Sequence, residues 1–471
     1  NATLVDVRIG TDVGAGPFEN YLIPQEFYES AMNGIQWIID NRDTAWPGVN
    51  ESMYGIDIIS LSWGITSHEG GGSDGEDMHS RILDEATEAG VTVSVAAGND
   101  GPDNDGLSGM GSSSLSITVG ATDDKNTIDR TDDTVAGYSS RGERRDNGDG
   151  NPVNELKPEI SAPGTNIIQA EGCVTSGGCT NFLGIGDASD NTYTGRGSGT
   201  SYATPSVTGV IALVMEANPD LDPMQIKEVL KQTAERRGPA SNPTVDPYWN
   251  RDFGYGMVDA RAAVELAFHL ADTNQSASID WTIQNHLLNV TNDDGKTVIS
   301  GHAWTQSDVL AAVQYRIGEG TWKEATYEVV LEELGPLTPF NWTVALDLSS
   351  VSAGEQTVEI RAIRGAQQSL PVLVEVTGSD SSSVSGLSMV LIIGGSLVLI
   401  AILGALIGFI MMRQGTSMQS GGEEIFEAEL LPEEDLSTLT VAELKKRLSE
   451  QGLPVSGNKS ELIARLSTQT A

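Results

Sequence analysis

The heptapeptide Gly199-Thr200-Ser201-Tyr202-Ala203-Thr204-Pro205 places a hydroxyl group at the start of an apolar helix. Apolar residues recur at helical spacing after it, from Val207 to Met215. Pro205 falls in the first turn, where its missing N–H costs no hydrogen bond. Ser201 is therefore either a plain N-cap or a nucleophile whose developing negative charge the helix dipole stabilises.

An apolar strand upstream of this helix ends in an amide side chain, because Val93 to Ala97 is followed by Gly98 and Asn99. An asparagine at the end of a strand is commonly a turn former. Paired with a serine at a helix start, its amide can instead donate a hydrogen bond to the oxyanion of a tetrahedral intermediate. Such a donor is typically worth about 10²–10³ in rate.

Five sequence blocks, in the same order along the chain, resemble those of the subtilisin-like serine proteases (subtilases, peptidase S8 family). They are residues 59–64, 96–99, 157–164, 199–205 and 253–260. The resemblance implies that Ser201 is the nucleophile and Asn99 the oxyanion donor, in a reaction that requires no cofactor. It also implies that the backbone of Ser62, Trp63 and Gly64 pairs with an extended polypeptide substrate.

The two other members of a subtilase triad are missing from the sequence. The family carries Asp, His and Ser in that order, with the Asp in Asp-Ser/Thr-Gly and the His in His-Gly-Thr-His, and neither string occurs here. His68 follows the block that contains Ser62, and His79 precedes a helical pattern as a predicted surface residue.

The first nine residues resemble the strand that subtilases place after the catalytic-His helix. We therefore expect an N-terminally truncated sequence whose catalytic Asp and His lie outside it. Loss of the base of such a triad costs about 10⁶ in turnover, so this polypeptide alone is expected to be nearly inactive. The competing explanation is a true pseudoenzyme.

Strand and helix patterns alternate through residues 1–271, which predicts an α/β, subtilisin-like parallel sheet with helices on both faces. The oxygen-rich loop containing Asp146 and Asp149 is either a structural Ca²⁺ site or a solvated turn. Cys173 and Cys179 flank five residues, a spacing that suits a small disulfide loop of an exported domain, the alternative being two free thiols. The net charge of −39 argues against general nucleic-acid binding and fits a secreted protein.

Residues 272–378 contain short β-rich runs separated by Gly, Asp and Pro, which predict a β-sandwich similar to immunoglobulin-like modules. A Ser-rich linker, 379–388, leads to the uncharged run 389–412, which is long enough to cross a bilayer. Arg413 follows directly, while Asp380 is the nearest charge before the run. This arrangement predicts a single-pass protein with its protease domain outside the cytoplasm and its C-terminus in the cytoplasm.

An acidic linker, 413–435, precedes two amphipathic helical patterns joined by Gly-Leu-Pro in residues 436–471. The pattern is similar to SAP-type motifs, a family that often binds DNA. Phosphate contacts would then come from the basic residues Lys445, Lys446, Arg447 and Lys459. A small adaptor that binds a protein partner is the alternative.

The sequence thus predicts a membrane-anchored subtilisin-like serine endopeptidase that lacks its catalytic Asp and His. The competing hypothesis is a catalytically inactive surface or adaptor protein whose tail recruits DNA or a protein.

Overall fold

A computed structural model of the protein describes residues 2–7, 9, 24–51, 54–64, 71–107, 109–169, 195–293 and 296–378. The predictions for Cys173 and Cys179, for the 389–412 segment and for the SAP-like residues 436–471 fall outside these ranges. Within them, no helix is both long enough and apolar enough to cross a membrane. Residues 2–7, predicted as a strand, have no regular secondary structure.

The N-terminal part of the described chain is built around a mostly parallel sheet. Its strands are β1 (Ile58–Leu61), β2 (Thr92–Ala96), β3 (Ile117–Asp123), β4 (Thr134–Val135) and β5 (Ile160–Pro163), followed by a separate pair, β6 (Ile167–Gln169) and β7 (Gly195–Gly197). Parallel pairing joins β1 to β2, β2 to β3 and β3 to β5, while β4 runs antiparallel to β3. The alternating α/β pattern of the sequence therefore does produce a parallel sheet.

Five helices accompany this sheet in the described residues: α1 (Pro24–Asp40), α2 (Met78–Glu88), α3 (Thr200–Ala217), α4 (Pro223–Thr233) and α5 (Ala260–Asp272). Alternate side chains of β2 point to opposite faces of the sheet. Val93 and Val95 share one apolar cluster with α1 and α2, whereas the Ser94 hydroxyl donates to the Thr204 carbonyl of α3. Helices therefore cover both faces, as predicted.

α3 is the central helix because its apolar residues face the sheet. Val207, Ile211 and Val214 are fully buried and join a core shared with β3, β5, α4 and α5. α4 begins at Asp222 and Pro223, and the Asp222 carboxylate accepts from the Gln225 N–H while the Gln225 side chain bonds back to the Asp222 N–H. This capping box fixes the start of the helix that the Asp-Pro signal predicted.

The residues after α5 form two antiparallel sheets that pack around a common core. Their strands are β8 (Ile283–Asp293), β9 (Lys296–Thr305), β10 (Ala312–Ile317), β11 (Lys323–Glu324), β12 (Phe340–Asp347), β13 (Gly354–Arg364), β14 (Gln367–Gln368) and β15 (Val372–Gly378). One sheet has the order β12-β9-β8, and the other has β11-β10-β13-β14 with β15 beside β13. Trp342 and Val344 of the first meet Val358 and Val374 of the second in that core. A relationship to immunoglobulin-like modules stays a prediction.

The calcium prediction gains no support from the loop that carries Asp146 and Asp149. Asp146 accepts from the Gly148 N–H at 2.7 Å, and Asp149 accepts from the Asn151 N–H and from the amide of Asn154. Among the described residues, no group of three or more His, Cys, Asp or Glu side chains is arranged to hold a metal ion. The carboxylates of this loop act as turn formers.

Candidate active site

The first turn of α3 meets the carboxyl end of β1 through a reciprocal pair of hydrogen bonds. The Ser201 hydroxyl donates to the Ser62 carbonyl at 2.8 Å, and the Ser62 hydroxyl donates to the Ser201 carbonyl, also at 2.8 Å. Trp63 and Gly64 continue the chain beyond this contact, and a Cβ atom built on Gly64 would meet no atom within 4 Å. The backbone predicted to bind substrate therefore lies directly beside the predicted nucleophile.

The amide of Asn99 is held in place from the same helix start. The N–H and the hydroxyl of Thr200 both donate to Asn99 Oδ1, at 2.9 and 3.1 Å. The Gly98 N–H donates in turn to the Thr200 hydroxyl at 3.3 Å. Because two donors converge on Oδ1, the NH₂ group must occupy the other side of the amide. It forms no hydrogen bond within the described chain and is available as a donor.

The loop after β5 fixes the entry to α3. The Gly199 N–H donates to the Gly164 carbonyl at 2.9 Å, and the Tyr138 hydroxyl donates to the same carbonyl at 2.7 Å. These bonds place the 157–164 block next to the Ser201 block. The structure thus brings together Ser201, Asn99 and Ser62, which are far apart in sequence, while their catalytic roles stay predictions.

No described residue supplies a base to Ser201. The part of the chain that the structure describes places neither an imidazole nor a carboxylate in hydrogen-bond contact with its hydroxyl, which is bonded to Ser62. His79 lies in the first turn of α2, where its ring packs 5.7 Å from that of Tyr28, and its side chain is 20% exposed. It is therefore half-buried, less exposed than the surface position predicted from the sequence.

Thr200 is a site residue that the motif contains but that sequence reasoning did not single out. Its hydroxyl is fully buried between Gly98 and Asn99 and bonds to both. The available signal was its place immediately before the nucleophile, at the first residue of the helix. Sequence alone gives no direction for its side chain, so its contact with the amide was not foreseeable.

A buried charge cluster anchors the 157–164 block behind the site. Glu159 accepts from the ammonium groups of Lys157 and Lys227, at 2.5 and 2.6 Å, and from the Thr118 N–H at 2.8 Å. Burial lowers the pKa of Lys157 to about 7, despite the attraction of Glu159. Burial alone would raise the pKa of Glu159, but the two lysines bring it below its usual value. The cluster ties β3, β5 and α4 together.

Comparison with known proteins agrees with this geometry. Residues 24–256 match the model of the subtilase family, and residues 435–468 match that of the SAP domain. Serine protease AprX of Bacillus subtilis (strain 168) is 35% identical over 243 residues, which cover 50% of this chain and 47% of AprX. Minor extracellular protease Epr of the same organism is 28% identical over 280 residues, covering 58% of this chain and 33% of Epr.

The chain spans about half or less of the length of these curated relatives. Among solved structures, Sphericase matches with 23% identity and a TM-score of 0.34, over 49% of this chain and 63% of that one. The relatives that match most of the N-terminal half are subtilisin-like serine proteases. The chain thus carries a subtilase-family domain at residues 24–256 and a SAP domain at residues 435–468.

Proposed function

We propose that this chain supplies the nucleophile and the oxyanion donor of a serine endopeptidase that cleaves polypeptides. The observation that carries the proposal is the convergence of Ser201, the Thr200-anchored Asn99 amide and the Ser62 backbone at the start of α3. The subtilase family match and the similarity to named proteases support polypeptides as the substrate class.

Each element has a defined part in the proposed reaction. Ser201 Oγ forms a bond to the scissile carbonyl carbon and gives its proton to a base. The carbonyl electron pair moves onto oxygen, where the Asn99 NH₂ group and the helix dipole stabilise the charge. When the intermediate collapses, the C–N bond breaks and the base returns its proton to the leaving amine. Water then hydrolyses the acyl-enzyme by the same route.

The base and its orienting carboxylate are proposed to lie on polypeptide outside the present sequence, beside β1. In the described residues β1 pairs with β2 alone, so its other edge carries unpaired backbone groups. The exposed Ser60 of β1 accepts a hydrogen bond from the Thr208 hydroxyl of α3. Leu213, also on α3, is 49% exposed. A strand that pairs with this edge would cover Ser60 and Leu213. It would also bring an imidazole towards Ser201, and the imidazole would replace the Ser62 carbonyl as the acceptor of the Ser201 hydroxyl.

This proposal is tested by extending the reading frame upstream and comparing the extended protein with residues 1–471. The extended protein should hydrolyse casein, and its Ser201→Ala variant should not. Residues 1–471 alone should be slower by about 10⁶, the cost of a missing base. Ser206→Ala is the matched control, because Ser206 is an exposed hydroxyl five residues further along the same helix. A folded extended protein without Ser201-dependent hydrolysis would favour the non-catalytic adaptor.

The SAP match favours a second activity, in which the tail binds DNA through Lys445, Lys446, Arg447 and Lys459. Four phosphate contacts predict that log K falls with log salt at a slope of about −3.6 on duplex DNA. Anisotropy titrations of the full chain with a duplex at several salt concentrations measure this slope. Replacing all four residues by Gln should abolish it; a slope retained in that variant would contradict the role of these four residues, and a wild type that does not bind the duplex would favour the protein-binding alternative.

We also propose membrane anchoring through residues 389–412, with the protease domain outside and the tail in the cytoplasm. The proposal is supported by the uncharged composition of this run and by Arg413 immediately after it. Added protease should digest the N-terminal domains in intact cells and spare the SAP domain. Digestion of both parts, or of neither, would contradict this orientation.

A further inference from the structure

A chain of hydrogen bonds crosses from the subtilase domain into the β-domain (residues 279–378) and returns. Arg236, just after α4, approaches His286 of β8, with 3.4 Å between Nη2 and Nδ1. His286 Nε2 lies 3.1 Å from Gln284 Oε1, and Gln284 Nε2 donates to Glu228 Oε2 of α4, also at 3.1 Å. Glu228 Oε1 accepts from Lys231 at 2.7 Å. The two β8 side chains thus link one part of the subtilase domain to another.

The partners of His286 determine its protonation state. A guanidinium only donates, so Nδ1 must be the acceptor. The ring proton then sits on Nε2 and is donated to Gln284 Oε1, which in turn directs the Gln284 NH₂ group to Glu228. A second proton on the imidazole would have to bind Nδ1. The resulting N–H group would face the Arg236 guanidinium, which is itself a donor, and would have no hydrogen-bond acceptor there.

The imidazole is also closed off from solvent. His286 is 1% exposed, with its ring 4.9 Å from that of Tyr248 and 5.3 Å from that of Trp304. The Arg236 guanidinium lies 3.3 Å above the Tyr248 ring. Water therefore has no access to the imidazole that would screen a second positive charge beside Arg236.

The charged groups around His286 are mostly positive. Burial lowers the pKa of His286 well below its usual value, and Arg236, Lys231 and His302 act in the same direction. Of the nearby carboxylates, Glu228 is engaged by Lys231 and Gln284. The other, Asp246, accepts from the Tyr255 hydroxyl and from the Tyr248 and Trp249 N–H groups. Within the described residues, neither carboxylate contacts the imidazole.

We propose that His286 makes the docking of the β-domain on α4 acid-labile. A proton taken from solvent onto Nδ1 replaces the acceptor that faces Arg236 with a donor and places two cations in contact. The β-domain then releases from α4. In this undocked state water hydrates the protonated His286, and Arg236 no longer faces it. Docking is thus complete at neutral pH and weakens on acidification.

The pH dependence of docking follows from the difference in proton binding between the docked and undocked states. An undocked histidine titrates near 6.5, whereas the docked residue resists protonation, so docking is lost as pH falls below about 6.5. One proton per event raises the undocking equilibrium constant about tenfold per pH unit. The Glu359 carboxylate titrates lower: burial alone would raise its pKa, but the His269 ring 3.7 Å away and hydrogen bonds from Gln275 and Arg316 lower it to about 2. The Glu359 carboxylate therefore stays ionised between pH 6.5 and 4.5 and adds no pH dependence of its own in that range.

Hydrogen exchange of the full chain measures this opening. The peptides to follow are those of α4 and of residues 283–287, corrected for intrinsic exchange, between pH 7.5 and 4.5. In the wild type, the opening constant of both should rise about tenfold per unit below pH 6.5. In His286→Phe, which keeps an aromatic ring but binds no proton, the slope should vanish whatever its absolute stability.

Two further variants keep the test independent of folding defects. His302→Gln removes a half-buried histidine from the same aromatic cluster and should retain most of the slope. Arg236→Met removes the facing cation, so the docked imidazole resists protonation less and the rise of the opening constant should level off at a higher pH than in the wild type. A wild type whose opening constant does not change with pH, or a slope unchanged in His286→Phe, would overturn the proposal.

Discussion

Thr200→Val should weaken catalysis by acting through Asn99. The substitution preserves the shape of a fully buried side chain but removes one of the two hydrogen bonds that hold Asn99 Oδ1, leaving the bond from the Thr200 N–H at 2.9 Å. One such bond is worth about 1 kcal/mol, or about fivefold in rate. We therefore expect kcat to fall about fivefold with KM unchanged, since the oxyanion exists only in the transition state. Asn99→Ala should cost about 10²–10³.

A double-mutant cycle in the extended, active protein separates this positioning role from a merely structural one. In the Asn99→Ala background, Thr200→Val should change kcat less than twofold, which corresponds to a coupling energy of about 1 kcal/mol. Thr208→Val is the matched control, because its hydroxyl bonds to Ser60 and Thr204 rather than to the amide. Additive effects of Thr200→Val and Asn99→Ala would refute the reasoning.

Three further predictions concern stability. Because the pKa of Lys157 is lowered to about 7, the folded state binds fewer protons than the unfolded state between pH 7 and 10. The free energy of unfolding should therefore rise by up to about 1.4 kcal/mol per pH unit in this range. Denaturant titrations should find this slope lost in Lys157→Met. Glu359, with a pKa of about 2, should lose its stabilising effect between pH 4.5 and 2, and thermal melts of Glu359→Gln should show a flatter acid limb. Trp342→Ala should lower the free energy of unfolding by about 3–5 kcal/mol because Trp342 is fully buried. Val298→Ala, at an exposed position of the same sheet, should change the denaturation midpoint little. Equal losses of stability in the two variants would contradict this assignment of the core.

The sequence predicted the parts of the fold that depend on local pattern. The buried run of β2 and the apolar period of α3 are both visible in the chain, and the order of motif blocks implied that Asn99 and Ser201 meet. That implication rests on a resemblance, since nothing local encodes the observed contact of Asn99 with Thr200, the residue before Ser201, across 101 positions. The reciprocal Ser62–Ser201 bonds are a consequence of the same sheet order.

What the sequence did not predict depends on side-chain direction and on distant partners. Lys157 and Glu159 lie two residues apart in the 157–164 block, but the second lysine, Lys227, comes from α4. His79 was predicted to be a surface residue because it precedes a helical pattern, yet the ring of Tyr28 from α1 packs edge-on against its ring. The docking of Gln284 and His286 on α4 likewise requires the tertiary arrangement of two domains.

The location of a covalent adduct tests the central claim most directly. The extended protein is treated with a fluorophosphonate and mapped by peptide mass spectrometry. A nucleophilic Ser201 predicts one adduct per chain, on the peptide that contains Ser201, formed at least about 10² times more slowly in Asn99→Ala and absent from Ser201→Ala. An adduct on another residue, or an unmodified Ser201 in a folded protein, would contradict the assignment of Ser201 as the nucleophile.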